Sequence, residues 1–189
     1  MNYKALFNRV SVLLSSPAKA WVEIDSEKGA GRVMSEFVYP LIGLCGLAVF
    51  IGTFLGNTAG VGVFPVAMQL CCGVFVALFG GFFLASYLVN QLGMKLFGLD
   101  DQFDRSQQLV GYSMVVLFAL HILCGLLSID LLRWILQFYT LSVVYEGART
   151  LMGIPEAQLT RYTIIMSIII LICPAAVGTL FSKLAVVLS

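Results

Sequence analysis

The sequence predicts an all-α membrane protein, a polytopic bundle of five transmembrane helices with an N-terminal interfacial amphipathic helix. Three observations predict this fold. Apolar residues make up 60% of the chain and charged residues 11%, under half the roughly 25% charged content of a water-soluble domain. Five runs of apolar sequence reach the ~20 residues that a helix rising about 1.5 Å per residue needs to cross a bilayer core. Lysine and arginine collect on alternate connections, the pattern that orients membrane helices.

The first 36 residues form a segment apart from the five-span domain at 37–189. Leu6, Val10, Leu13 and Leu14 recur at helical spacing, with Lys4, Asn8 and Arg9 elsewhere on the turn. Ser16 followed by Pro17 reads as an N-cap and a first-turn proline, opening a second short helix through AKAWVEI. Trp21 favours the headgroup zone, so these helices are expected to lie on the membrane surface. The opening MNYKALFNRVSVLLSS is interrupted by Asn8 and Arg9 and does not read as a cleavable signal.

The spans are expected at about 37–56, 65–90, 109–127, 131–149 and 163–182. The second is long enough to tilt or project from the bilayer. Only Ser128, Ile129 and Asp130 separate the third from the fourth, which forces an antiparallel pair. Pro174 is expected to kink the fifth, and a helical tail runs on to Leu188. Nine of the 11 Lys and Arg residues fall on the N-terminal side of the alternation. That places the N-terminus in the cytoplasm and the C-terminus outside. A net charge of +1 gives no concentrated basic patch for nucleic acid.

Small residues recur every four positions along the second span at Gly73, Ala77, Gly81 and Ala85, and along the first at Ala48, Gly52 and Gly56. Such stripes let backbones approach closely in lipid. The two spans are therefore the expected partners, and a homodimer face is the alternative use. The five cysteines all fall in apolar runs without zinc or disulfide spacing, and read as packing residues.

Candidate chemistry is sparse. Asp100, Asp101 and Asp104 spell DDxxD, an oxygen cluster of the kind that holds magnesium. No second acidic cluster accompanies it, and the simpler expectation is that Asp104 caps the third span with Gln107 completing a capping box. His121, the only histidine, lies inside the third span. An intramembrane ionisable group is a functional candidate by default, but a neutral ring bonded to a backbone carbonyl or hydroxyl is expected. Gln69 and Asn90 read the same way. Glu146 and Arg149 share a helix face and are expected to pair, near Tyr139 and Tyr145, before Gly153 and Pro155 end the fourth helix. No nucleophile motif and no HExxH is present. Neither an enzyme nor a cofactor is expected.

Three stretches together resemble the YIP family, the Ypt/Rab-interacting membrane proteins and their bacterial relatives. They are SPAKAWVEI, FDRSQQLVGYS with its Gly111–Tyr112 pair, and YEGARTLMGIPEAQLTRYTII. The resemblance implies five spans with a cytoplasmic N-terminus, and marks Tyr112, Tyr145, Glu146, Arg149, Gly153 and Pro155. Eukaryotic members are linked to vesicle traffic and Rab binding through a long N-terminal domain and a DLYGP-type motif. This sequence has about 36 residues before its first span and no such motif, so Rab binding is not carried over. The short form is similar to bacterial inner-membrane members. Two functions are then expected: organisation of membrane partners or lipids without catalysis, or a small oligomeric transporter or lipid-handling role passing His121, Gln69 and Asn90. The bilayer, a membrane-protein partner and a second copy are the expected partners.

Overall fold

The computed structural model describes residues 3–27, 30–56, 62–127 and 137–188, and every regular element among them is a helix. Helix α1 (Tyr3–Ser15) and α2 (Pro17–Ser26) meet at Ser16. Ser16 occupies the N-cap position and Pro17 the first turn, as expected, but the serine side chain makes no capping bond. Its carbonyl accepts from Lys19 N–H (3.1 Å) and Ala20 N–H (3.2 Å) instead. The apolar stripe of α1 points into the protein. Leu6 and Leu13 are buried, Val10 and Leu14 pack beside them, and all join the same core as the long helices.

Helix α3 (Ala30–Val33) runs through a π-helical stretch, Met34–Val38, directly into α4 (Tyr39–Gly56). Next come α5 (Val63–Phe97), then α6 (Phe103–Ser113) and α7 (Val115–Leu127), which join at Met114. Helices α8 (Tyr139–Thr150) and α9 (Glu156–Leu188) complete the order. Among the described residues four stretches are long and apolar enough to cross a membrane: Met34–Gly56, Val63–Phe97, Phe103–Gly125 and Glu156–Leu184. They correspond to the first, second, third and fifth expected spans. Of the expected span 131–149, residues 131–136 lie outside the described residues, as do the connections 57–61 and 128–130. Its described remainder, α8, has 12 residues, or about 18 Å of helix.

The small-residue stripe of α5 packs within the chain, but chiefly against α9 rather than α4. A Cβ added at Gly81 would lie 2.5 Å from Pro174 Cα, and one at Gly80 2.9 Å from Val177 Cγ1. Gly178 of α9 faces Ala77 in return, with an added Cβ 3.1 Å from the alanine methyl. Two helices that both carry small residues can bring their backbones together where bulkier pairs cannot. Toward the N-terminal end of α5, Gly73 lies in ordinary contact distance of Phe181. Helix α4 meets α5 differently, through the Phe75 ring seated over Gly46, and turns the Ala48 backbone toward Gly125 of α7. Ala85 is fully buried, Gly52 half-buried, and Gly56 has open space around it.

Helix α6 also starts differently from expectation. Gln102 holds the N-cap position, Asp104 is already inside the first turn, and no side-chain capping bond forms. Asp104 complements the dipole there. Gln107 is buried, so it does not reach back to close a capping box. The helix starts early because the chain leaves α5 by a short turn at Gly98 (φ +67°), where Leu99 N–H bonds Gly93 O at 3.3 Å. The left-handed glycine is the usual end of such a helix.

Candidate functional site

The three stretches that carry the family resemblance converge in space. Trp21 of α2 is fully buried and meets the Tyr112 ring edge-on, centroids 5.9 Å apart. Its indole N–H donates to Val143 O of α8 at 2.9 Å. Phe37 also packs against Tyr112, with ring centroids 4.8 Å apart. The space for the indole exists because residue 147 has no side chain: a Cβ there would lie 2.7 Å from Trp21 Cε2 and 2.6 Å from Leu109 Cδ1. Gly111 makes similar room for Val33 and Val38, each 3.0 Å from an added Cβ.

This geometry corrects the expected place of Trp21. It is a core residue at the junction of α2, α6 and α8, and does not face headgroups. An amphipathic indole buries when its N–H finds a partner, and Val143 O supplies one. Removing a core tryptophan side chain costs about 3–5 kcal/mol, enough to threaten most folds.

Arg9 extends the junction to α1. Its guanidinium donates to Glu27 and lies 5.8 Å from the Tyr112 ring centroid, within cation–π range. Burial opposes its charge, but the Glu27 hydrogen bond and the negative charge around it leave its pKa raised above the ordinary arginine value. Tyr139 O–H donates to Leu14 O at 2.9 Å, a second tie between α1 and α8. Arg105 Nη1 donates to Leu151 O at 2.8 Å and fixes the end of α8 to the start of α6. Arg9, Phe37, Val143 and Gly147 carry no local signal for these roles, because each partner is distant in sequence. Only the presence of Gly147 inside YEGAR pointed to the place.

The remaining marked residues divide. Gly153 has φ +61°, and Ile154 N–H bonds Ala148 O at 3.1 Å, the glycine stop expected there. Pro155 follows, and its carbonyl accepts from Gln158 N–H in the first turn of α9. Tyr145 is exposed on the outer face of α8. The expected Glu146–Arg149 pair does not form. Arg149 lies 3.8 Å from Glu156 instead, because the Gly153 turn folds the start of α9 back on the end of α8. Glu146 is half-buried with no ion-pair partner among the described residues.

The acidic cluster is likewise dispersed in use. Asp101 accepts from Asn90 Nδ2 at 2.8 Å, and Ser106 Oγ reaches Asn90 Oδ1 at 3.4 Å. These bonds tie the end of α5 to the start of α6. Among the described residues no three His, Cys, Asp or Glu side chains group as a metal site.

His121 has a different setting. Its Nδ1 lies 2.8 Å from Leu117 O, the backbone-carbonyl arrangement expected for it. The ring lines a cavity of about 300 Å³ between α5, α7 and α9, with Gln137, Thr179 and Ser182 as the other polar walls. Gln69 and Asn90 do not line it. They sit 21 positions apart on one helix, roughly 30 Å along its axis.

No curated protein matches the chain, and no solved structure matches it. The Yip1 domain, however, matches residues 10–178, a stretch that contains Trp21, Phe37, Tyr112, Val143 and Gly147. The chain belongs to the Yip1 family.

Proposed function

We propose that this protein is a non-enzymatic integral membrane protein that organises membrane partners or lipids, with its N-terminal helices held against the bundle as a cytoplasmic platform. One observation carries the reading: the motif residues Trp21, Tyr112 and Gly147 are all used in clamping α2 to α6 and α8. Residues used this way define a shape for recognition, and among the described residues no metal set stands beside them. The reading includes a further span over about 131–149, an N-terminus in the cytoplasm, and residence in a bacterial inner membrane. The charge alternation supports the orientation.

The test is native mass spectrometry of the protein released from its own membrane, compared with the Trp21→Ala variant. A specific lipid or membrane protein should stay bound to the parent and be lost when the platform is undocked. Substrate-dependent flux in proteoliposomes that His121→Ala abolishes would overturn the reading. It would favour the second one, a small oligomeric transporter or lipid-handling protein. The cavity beside His121 is the observation that favours that second reading.

A further inference from the structure

We propose that the cavity beside His121 binds the uncharged, hydroxyl-bearing head of a neutral lipid of the diacylglycerol class. The proposal rests on the lipid half of the reading above and assigns it a place and a chemistry.

The cavity exists because small residues and a proline meet there. Gly178 of α9 faces Ala77 of α5, and Pro174 lies against Gly81. Among the described residues no lysine, arginine, aspartate or glutamate lines the space. A phosphate head or a cation would enter without a counter-charge, and an unpaired charge away from water is strongly disfavoured. The guest is therefore neutral.

Its polarity follows from how the walls spend their protons. Thr179 Oγ–H donates to Ala176 O at 2.9 Å, and Ser182 Oγ–H donates to Thr179 O at 2.9 Å. A carbonyl only accepts, so His121 Nδ1 also commits its proton, to Leu117 O. The two hydroxyl oxygens keep acceptor lone pairs, and a guest that donates a hydrogen bond meets them. An alcohol does so; a carbonyl or ether head does not. Gln137 offers an amide of either sense.

The remaining wall is apolar, including Ala77, Leu78 and Leu171, and suits the first methylenes of an acyl chain. About 300 Å³ stands at the lower end of small-molecule sites. It takes a head and the top of its chains, with the rest left in the bilayer. Thr179 and Ser182 are exposed, so the hydroxyl edge of the site is reachable from the side of the bundle.

The experiment uses the full chain in detergent with three probes of equal chain length. They are 1,2-dioctanoylglycerol, dioctanoyl phosphatidic acid, and trioctanoylglycerol, which lacks the free hydroxyl. Thermal unfolding and native mass spectrometry are the readouts. Only dioctanoylglycerol should raise the midpoint and appear as a bound adduct. The double variant Thr179→Val, Ser182→Ala should weaken that binding roughly tenfold through two lost hydrogen bonds, and Gly178→Leu should fill the cavity and abolish it. If Gly178→Leu fails to fold, the double variant, whose changed side chains are exposed, still decides. Equal binding of all three probes, or undiminished binding to the double variant, would overturn the proposal. If another lipid class stays bound while dioctanoylglycerol does not, the ligand assignment fails and the lipid reading stands. If no lipid of any kind is retained, both fail.

Discussion

Glu146 and Gly147 are neighbours in α8, and the structure gives them opposite weight. From the sequence, the carboxylate asks for attention because a charge near an apolar run is costly. In the fold Glu146 is half-buried at the helix edge and long enough to turn its head to water. Glu146→Gln should leave insertion intact and shift stability by no more than about 0.5 kcal/mol. Loss of folded protein in fluorescence-detected size-exclusion chromatography would show that the charge is required. Gly147 has no functional group to notice, yet its missing side chain is what lets Trp21 reach Val143 O. Gly147→Ala should destabilise by about 1–3 kcal/mol through overpacking, read as a lower unfolding midpoint and faster proteolysis of α1 and α2. An unchanged midpoint would mean that the indole is not held there. The importance of a small residue depends on what it faces, and the facing residue is 126 positions away in the sequence. No local pattern encodes that distance. The same reason hid Arg9, whose partners Glu27 and Tyr112 sit on two other helices.

At the scale of elements, the stripe Gly73, Ala77, Gly81 was legible because close packing in lipid requires small residues at helical period. Its partner was not. Adjacency in the chain favoured α4, but complementarity decided for α9, where Pro174 and Gly178 offer a surface equally bare. The stripe is also uneven. An added methyl at Gly81 meets Pro174 backbone at 2.5 Å, whereas one at Gly73 finds only Phe181 ring atoms at 3.6 Å. Backbone cannot rotate aside, and ordinary contact at 3.6 Å needs no movement. Gly81→Ala should therefore separate α5 from α9 and cost about 1–3 kcal/mol. Gly73→Ala should be neutral or slightly stabilising, since alanine is the better helix former by up to about 1 kcal/mol. Thermal unfolding of the two single variants in the same detergent checks the ordering, and equal losses would contradict this helix pairing.

At the scale of the molecule, four spans were readable from length and apolarity alone, because lipid demands about 20 apolar residues whatever they pack against. The N-terminal helices were readable as elements but not in their placement. The same apolar stripe suits a bilayer surface or a protein core, and the choice depends on Trp21 finding a socket across the fold. The number of crossings has one sharp consequence. An even number returns the C-terminus to the side of the N-terminus, and an odd number separates them. The residues 131–149 include Arg133, Glu146 and Arg149, more charge than the other expected spans carry, but all three stand within about one turn of an end and can snorkel. The C-terminal flank favours a crossing as well. Helix α8 folds tightly onto α9 at Gly153, and Arg149 and Arg161 then share one side with the N-terminal cations, as the charge rule prefers. A topology reporter fused after Ser189 should therefore score as external and one fused after Leu151 as cytoplasmic. If the Leu151 fusion scores as external and the Ser189 fusion as cytoplasmic, residues 131–149 do not cross and the bundle has four spans.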